Sequence, residues 1–92
     1  MVSEKIIVKN PSGLHLRPAG ILAGIASKCK SDIAIIKGEK RVNPKSILVL
    51  MAAAIKCNDE VIVECSGETE AEDLKTIIDA IASGLGELDD NK

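Results

Sequence analysis

The chain has 92 residues, 46% of them apolar, with no Phe, Tyr or Trp and a formal net charge of −2 from 12 basic and 14 acidic side chains. That length fits one domain over residues 1–92, whose small core leaves little room for a deep pocket. Without aromatic rings there is no stacking platform for single-stranded nucleic acid, and the balanced charge gives no footprint for nucleic acid or an anionic membrane.

The first elements read in chain order. Met1-Val2-Ser3-Glu4-Lys5 lacks the apolar core of a signal segment, and no apolar run is long enough to span a bilayer, so direct membrane insertion is not expected and the cytoplasm is the expected location. Lys5-Ile6-Ile7-Val8-Lys9 is short, β-branched and bounded by Asn10-Pro11-Ser12-Gly13, which reads as a strand and a turn. Leu16 to Cys29 reads as a helix with Pro18 in its first turn and Ile21, Leu22, Ile25, Ala26 and Cys29 on one face. Its small residues Ala19, Gly20, Ala23 and Gly24 imply close packing or an open surface beside something bulky.

Asp32–Lys37 reads as a second strand, turned by Gly38-Glu39 into a short third strand at Lys40-Arg41-Val42. Asn43-Pro44-Lys45 breaks the chain, and Ser46 is an N-cap signal for a helix over Ile47–Ile55. That run is apolar on every side, so a short helix cannot bury all of it. Leu50 and Ala54 are expected in the core, Ile47 outside it. After a turn at Asn58-Asp59, Glu60–Cys65 alternates as a fourth strand with Val61, Val63 and Cys65 on one face. Thr69 and Glu72 have capping-box spacing before a long amphipathic helix carrying Leu74, Ile77, Ile78, Ile81 and Leu85. Gly84 and Gly86 are suited to end it, and the acidic tail from Glu87 reads as frayed.

The order β-α-β-β-α-β-α with short, hairpin-linked strands predicts an α+β open-faced, two-layer sandwich. A four-stranded antiparallel sheet would carry three helices on one face, with Lys5, Lys9, Glu60 and Glu64 on the solvated face. Cys29, Cys57 and Cys65 are odd in number and have no C-x-x-C spacing. With a single histidine in the chain, neither a disulfide framework nor a metal site is expected, and the cysteines read as reduced, small apolar residues.

That histidine, His15, stands where a turn meets a helix start. Backbone N–H groups there lack intrahelical acceptors and the helix dipole is positive, so the position suits an anion and favours the neutral, nucleophilic imidazole. Arg17 adds a guanidinium two residues away, matched to phosphate oxygens. Gly13 allows close backbone approach and Pro18 sets the helix start. The plainer reading is that His15 caps the helix and Arg17 is solvated. Residue chemistry alone leaves both open.

Gly13-Leu14-His15-Leu16-Arg17-Pro18-Ala19 resembles the G-[ILV]-H-x-R-P-A active-site signature of the HPr family, the histidine-containing phosphocarriers of the bacterial phosphoenolpyruvate:sugar phosphotransferase system. Val42-Asn43-Pro44-Lys45-Ser46-Ile47-Leu48 resembles that family's N-x-K-S-I-[ML] segment, which carries a regulatory serine in Gram-positive-type members. The likeness extends from the strand at Lys5 to the glycines near the C-terminus, and the element order matches the family's open-faced sandwich.

The resemblance implies that His15 accepts phosphate on its δ nitrogen from phosphorylated enzyme I and passes it to enzyme IIA domains, with Arg17 steadying the phosphoryl group. The chain would be a co-substrate rather than an enzyme, a monomer needing no cofactor or metal of its own. It further implies an HPr kinase/phosphorylase acting on Ser46 and a catabolite-control transcription regulator as a partner of the phosphoserine form. Leu16, Gly20, Ile47, Leu48 and Met51 map onto the family's apolar docking patch. Leu16, Gly20, Pro44 and the stretch Ala53–Asn58 depart from the family's commoner residues, which bears on partner choice. The alternatives are a regulatory paralogue, against which the presence of both His15 and Arg17 speaks, and a nitrogen-branch relay with the same chemistry and different partners.

Overall fold

The computed structural model describes residues 1–11 and 13–85. Its elements are β1 (Val2–Ile7), α1 (Leu16–Ser27), β2 (Asp32–Lys37), β3 (Lys40–Val42), α2 (Ile47–Ala52), β4 (Glu60–Ser66) and α3 (Glu70–Ala82). The order is the one expected. The strands form one antiparallel sheet, β1-β4-β2-β3, with β2 and β3 turned at Gly38, whose φ is 60°. Strand alternation sends Val61, Val63 and Cys65 of β4 and Ile33 and Ile35 of β2 to one face. There they meet Leu22 and Ala26 of α1, Leu50 of α2, and Ile77 and Ile81 of α3 in one core. On the other face Lys5 and Glu60 are exposed, and Glu64 is half-buried with its Oε1 2.7 Å from Arg41 Nη2. Lys9 is exposed but lies beyond β1. Burial pushes the Cys65 thiol up to about 11, with Asp73, Cys29 and Glu70 adding to the rise. Burial also raises the half-buried Cys29, so both behave as small apolar groups.

Element ends and faces differ from the sequence reading where distant partners decide them. The first strand, expected over Lys5–Lys9, runs over Val2–Ile7, because β4 supplies partners only from Cys65 opposite Val2 to Glu60 opposite Ile7. Val8 instead exchanges hydrogen bonds with the following turn: its N–H donates to Asp59 O at 2.9 Å, and Asn58 N–H donates to Val8 O at 2.6 Å. The first helix stops at Ser27 instead of Cys29, its last turn tightening as Lys28 and Cys29 N–H donate to Ile25 O and Ala26 O. Its buried face is Pro18, Ala19, Leu22, Ala23 and Ala26. The helix packs against α2 and α3, and Ile21 is left exposed.

The second helix ends at Ala52 rather than Ile55, since Ala54 adopts a left-handed φ of 55°. Ala54, expected in the core, is exposed, while Ala53 and Ile55 are buried. Lys37 and Lys40 Nζ donate to Ala54 O at 2.9 Å and Ala53 O at 3.4 Å, placing cations where a helix leaves unpaired carbonyls. The capping box at the third helix does not form. Thr69 is the N-cap, but with φ −109° and ψ 29° its hydroxyl makes no capping bond and donates to Asp73 Oδ2 at 2.8 Å. Glu70 Oε1 accepts from Gly67 N–H instead. The far end closes as the N–H of Gly84 (φ 88°) donates to Ile81 O and that of Leu85 to Ala80 O, a Schellman arrangement. Gly86 and the acidic tail lie outside the described residues.

Candidate functional site

Burial along the signature segment explains how His15 is presented. Gly13 and Leu14 are buried, His15, Leu16 and Arg17 are exposed, and Pro18 and Ala19 are buried again. The exposed residues are thus pushed outward between two anchors. Gly13 (φ 71°) sits where a Cβ would lie 2.3 Å from Ile55 O and 2.8 Å from Lys56 Cα, so glycine alone permits that contact. Leu14 N–H seals it by donating to Ile55 O at 2.9 Å. From the other side, Asn10 Nδ2 donates to Gly84 O at 2.9 Å, tying the loop to the end of α3.

His15 is the N-cap of α1 with an extended backbone (φ −84°, ψ −165°), and its carbonyl accepts from Ala19 N–H at 2.9 Å. Its ring makes no capping bond, so the plainer reading of this residue as a capping side chain does not hold. The first turn of α1 contains no acidic residue, and the helix dipole adds positive potential at its start. His15 lines an open hollow of about 270 Å³ together with Leu14, Met51, Ala54, Ile55 and Lys56. A ring nitrogen at such a mouth can attack an electrophile brought by another macromolecule. A shallow hollow of this kind cannot enclose a substrate of its own.

α1 and α2 pack together around this mouth. Of the residues expected in an apolar patch, Leu16 is 63% exposed, Leu48 79%, Met51 40% and Ile47 37%. Gly20 is half-buried, and a Cβ there would meet Ile47 Cδ1 at 4.0 Å in ordinary contact, so the position lies against Ile47 without requiring glycine. Ile21 and Val49, not expected in the patch, are exposed too. With Leu50 the one buried residue of α2, the all-round apolar character of that run was the available signal. Lys56 was also missed, and nothing local in the sequence links it to His15.

Ser46 is the N-cap of α2, as expected, with its Oγ accepting from Val49 N–H at 3.4 Å. Asn43 shapes the approach by accepting Lys45 N–H on its side chain at 2.9 Å and Ser46 N–H on its carbonyl at 3.2 Å. Ser46 does not line the hollow. It stands at the opposite end of the helix from Met51, about 7 Å away along the axis. Among the described residues no three His, Cys, Asp or Glu side chains cluster as metal ligands.

A model of the family described as the PTS HPr component phosphorylation site matches residues 2–83. The phosphocarrier protein HPr of Mycoplasma pneumoniae is 40% identical over 78 residues, covering 84% of this chain and 89% of that protein. The crystal structure of HPr-C-His from Thermoanaerobacter tengcongensis superposes with a TM-score of 0.90 at 38% identity, covering 95% of this chain and 98% of that one. The Bacillus subtilis catabolite repression containing protein Crh, whose crystal structure is an intertwined, domain-swapped dimer, gives a TM-score of 0.73 at 34% identity over 91% of this chain and 97% of that one. Family match, identity and fold agree along nearly the whole chain, which therefore belongs to the HPr family of phosphocarrier proteins.

Proposed function

We propose that this chain, as one domain, is the general phosphocarrier between enzyme I and the enzyme IIA domains of the sugar phosphotransferase system. The lone pair on Nδ1 of neutral His15 attacks the phosphorus of phospho-enzyme I. The new N–P bond forms as the donor's N–P bond breaks, and the donor imidazole leaves. The second transfer runs the same way, to a histidine or cysteine of an enzyme IIA or related domain, as the N–P bond on His15 breaks. Arg17 pairs with the phosphoryl oxygens in both steps, and the positive start of α1 favours the anion. The chain returns unchanged after each cycle, so it acts as a co-substrate with no cofactor or metal. The observation that carries this reading is an exposed imidazole at a helix start, two residues from Arg17, beside an apolar patch. Leu16, Gly20, Ile47, Leu48 and Met51 form that docking surface in the proposal, since exposed apolar groups clustered on one side suit a partner. Cytoplasmic location and a monomeric state complete it.

Ser46 is the proposed substrate of an ATP-dependent HPr kinase/phosphorylase. A phosphate at the N-cap of α2 would be held by the helix start, and its charge beside the apolar patch would weaken docking to enzyme I. The phosphoserine form is the one offered to a catabolite-control transcription regulator. The likeness to Crh favours a second reading, a regulatory paralogue in which this serine matters more than His15. The presence of both His15 and Arg17 supports the carrier, and a nitrogen-branch relay would use the same chemistry with other partners.

Intact-mass spectrometry after incubation with phosphoenolpyruvate, magnesium and enzyme I tests the carrier reading. The expected outcome is one phosphoryl group that brief acid removes and that the His15→Ala variant never gains. No added mass with an active enzyme I would favour the regulatory paralogue, with Ser46 next to be tested.

A further inference from the structure

The hollow beside His15 is lined by a basic residue that the motif does not predict. Its walls are Leu14, Met51, Ala54 and Ile55, all apolar, together with His15 itself and Lys56. The backbone of Lys56 is fixed from two sides. Its N–H donates to Asp59 Oδ2 at 2.7 Å, and the preceding carbonyl, Ile55 O, accepts from Leu14 N–H at 2.9 Å. The absent Cβ of Gly13 lets the Lys56 Cα press against the loop that presents His15. The carboxylate that accepts the Lys56 N–H is itself ion-paired elsewhere: Asp59 Oδ2 lies 2.8 Å from Lys37 Nζ. Among the described residues the ammonium of Lys56 has no ion-pair partner. An exposed, flexible lysine held at its Cα beside the nucleophile, in an otherwise apolar hollow, is placed to meet an incoming anion.

We propose that Lys56 is a second cationic residue of the transfer site, pairing with phosphoryl oxygens on His15 alongside Arg17. This rests on the phosphocarrier reading. The transferred group spreads its charge over three equatorial oxygens as the donor bond opens, more than one guanidinium satisfies. A partner covering the hollow excludes water and strengthens the contact, since the remaining walls are apolar. The lysine neither gives nor takes a proton: it holds charge while the N–P bond on the donor breaks and the bond to His15 forms.

The test is steady-state transfer from phospho-enzyme I to the unsubstituted chain and to Lys56→Met, Lys56→Arg and His15→Ala, with the ³¹P shift of each phosphorylated form. The expected result is that Lys56→Met lowers kcat and kcat/KM by about tenfold, the loss of one charge-assisted contact, and moves the ³¹P signal. Lys56→Arg should restore both to within about twofold, because the charge is kept. Unchanged kcat with an unchanged ³¹P shift overturns the proposal. So does a rise in KM alone, which would make Lys56 an attractor for an acidic partner. If the unsubstituted chain gains no phosphate, the carrier reading falls and takes this proposal with it. If only Lys56→Met behaves like the unsubstituted chain, the carrier reading stands without Lys56.

Discussion

Gly13 shows how one residue two positions away sets the presentation of His15. The absent side chain admits Ile55 O and the Lys56 Cα, and the positive φ is one that other residues adopt only under strain. A methyl group there would have to move backbone, which cannot yield as a flexible side chain could. Gly13→Ala is therefore expected to lower stability by about 3 kcal/mol, combining strain with a broken contact. Urea unfolding would show the midpoint fall, and phosphoryl transfer should fall with it in the folded fraction, since the Leu14 N–H to Ile55 O bond anchors the loop before His15. A midpoint unchanged from the unsubstituted chain would mean that the loop relaxes without loss. The pattern G-L-H-L-R-P-A was legible in the sequence as the signature of the HPr family. The reason for its first glycine was not, because the atoms that demand it belong to residues 55 and 56.

α2 divides its side chains between core and exposed surface within six residues. Leu50 is fully buried while Leu48 is 79% exposed, although both are leucine in one short helix. Two substitutions of the same kind should separate the roles. Leu50→Ala is expected to cost about 3 kcal/mol by leaving a cavity in the core. Leu48→Ala should change stability by less than about 0.5 kcal/mol, as surface changes do, while raising the KM for phospho-enzyme I. Thermal melts paired with transfer kinetics would read both, and a large stability loss at Leu48 would place it in the core instead. The sequence reading identified this helix from Ser46 and correctly set Leu50 inside and Ile47 outside. It misplaced Ala54 because the helix ends where Ala54 turns left-handed, and that turn faces lysines from the β2–β3 hairpin.

At the scale of the whole molecule, two carboxylates join elements far apart in the chain. Asp73 of α3 is buried, and its carboxyl is held below the usual range by the Ser31 side chain beside it, by the Thr69 hydroxyl and by the Ser31 N–H. Asp59 is likewise lowered, first by Lys37 and then by the Lys56 N–H. A carboxylate whose folded pKa lies below its unfolded value contributes stability that is fully present above that unfolded value, about 4, and is lost as pH falls through the folded one. The urea midpoint should therefore stay nearly level from about pH 7 to 5 and drop below about pH 4. Asp73→Asn should start lower at neutral pH and lose less in acid. An acid branch equally steep in that variant would assign the dependence to other groups.

The likeness around His15 marked the candidate site, and the sequence alone determined element order, the hairpin at Gly38 and the N-cap at Ser46. Each depends on local physics: strand alternation, helical spacing, capping chemistry and turn residues that act within a few positions. Tertiary structure decided where strands end, which face α1 buries, how Thr69 bonds, and that Lys56 stands beside His15. Those outcomes depend on partners distant in sequence. A strand extends only as far as its neighbour pairs with it, and Ala19 and Ala23 become core only once α1 packs into the shared core beside α2 and α3. A lysine joins a site only where the chain crosses itself at a glycine with no side chain in the way.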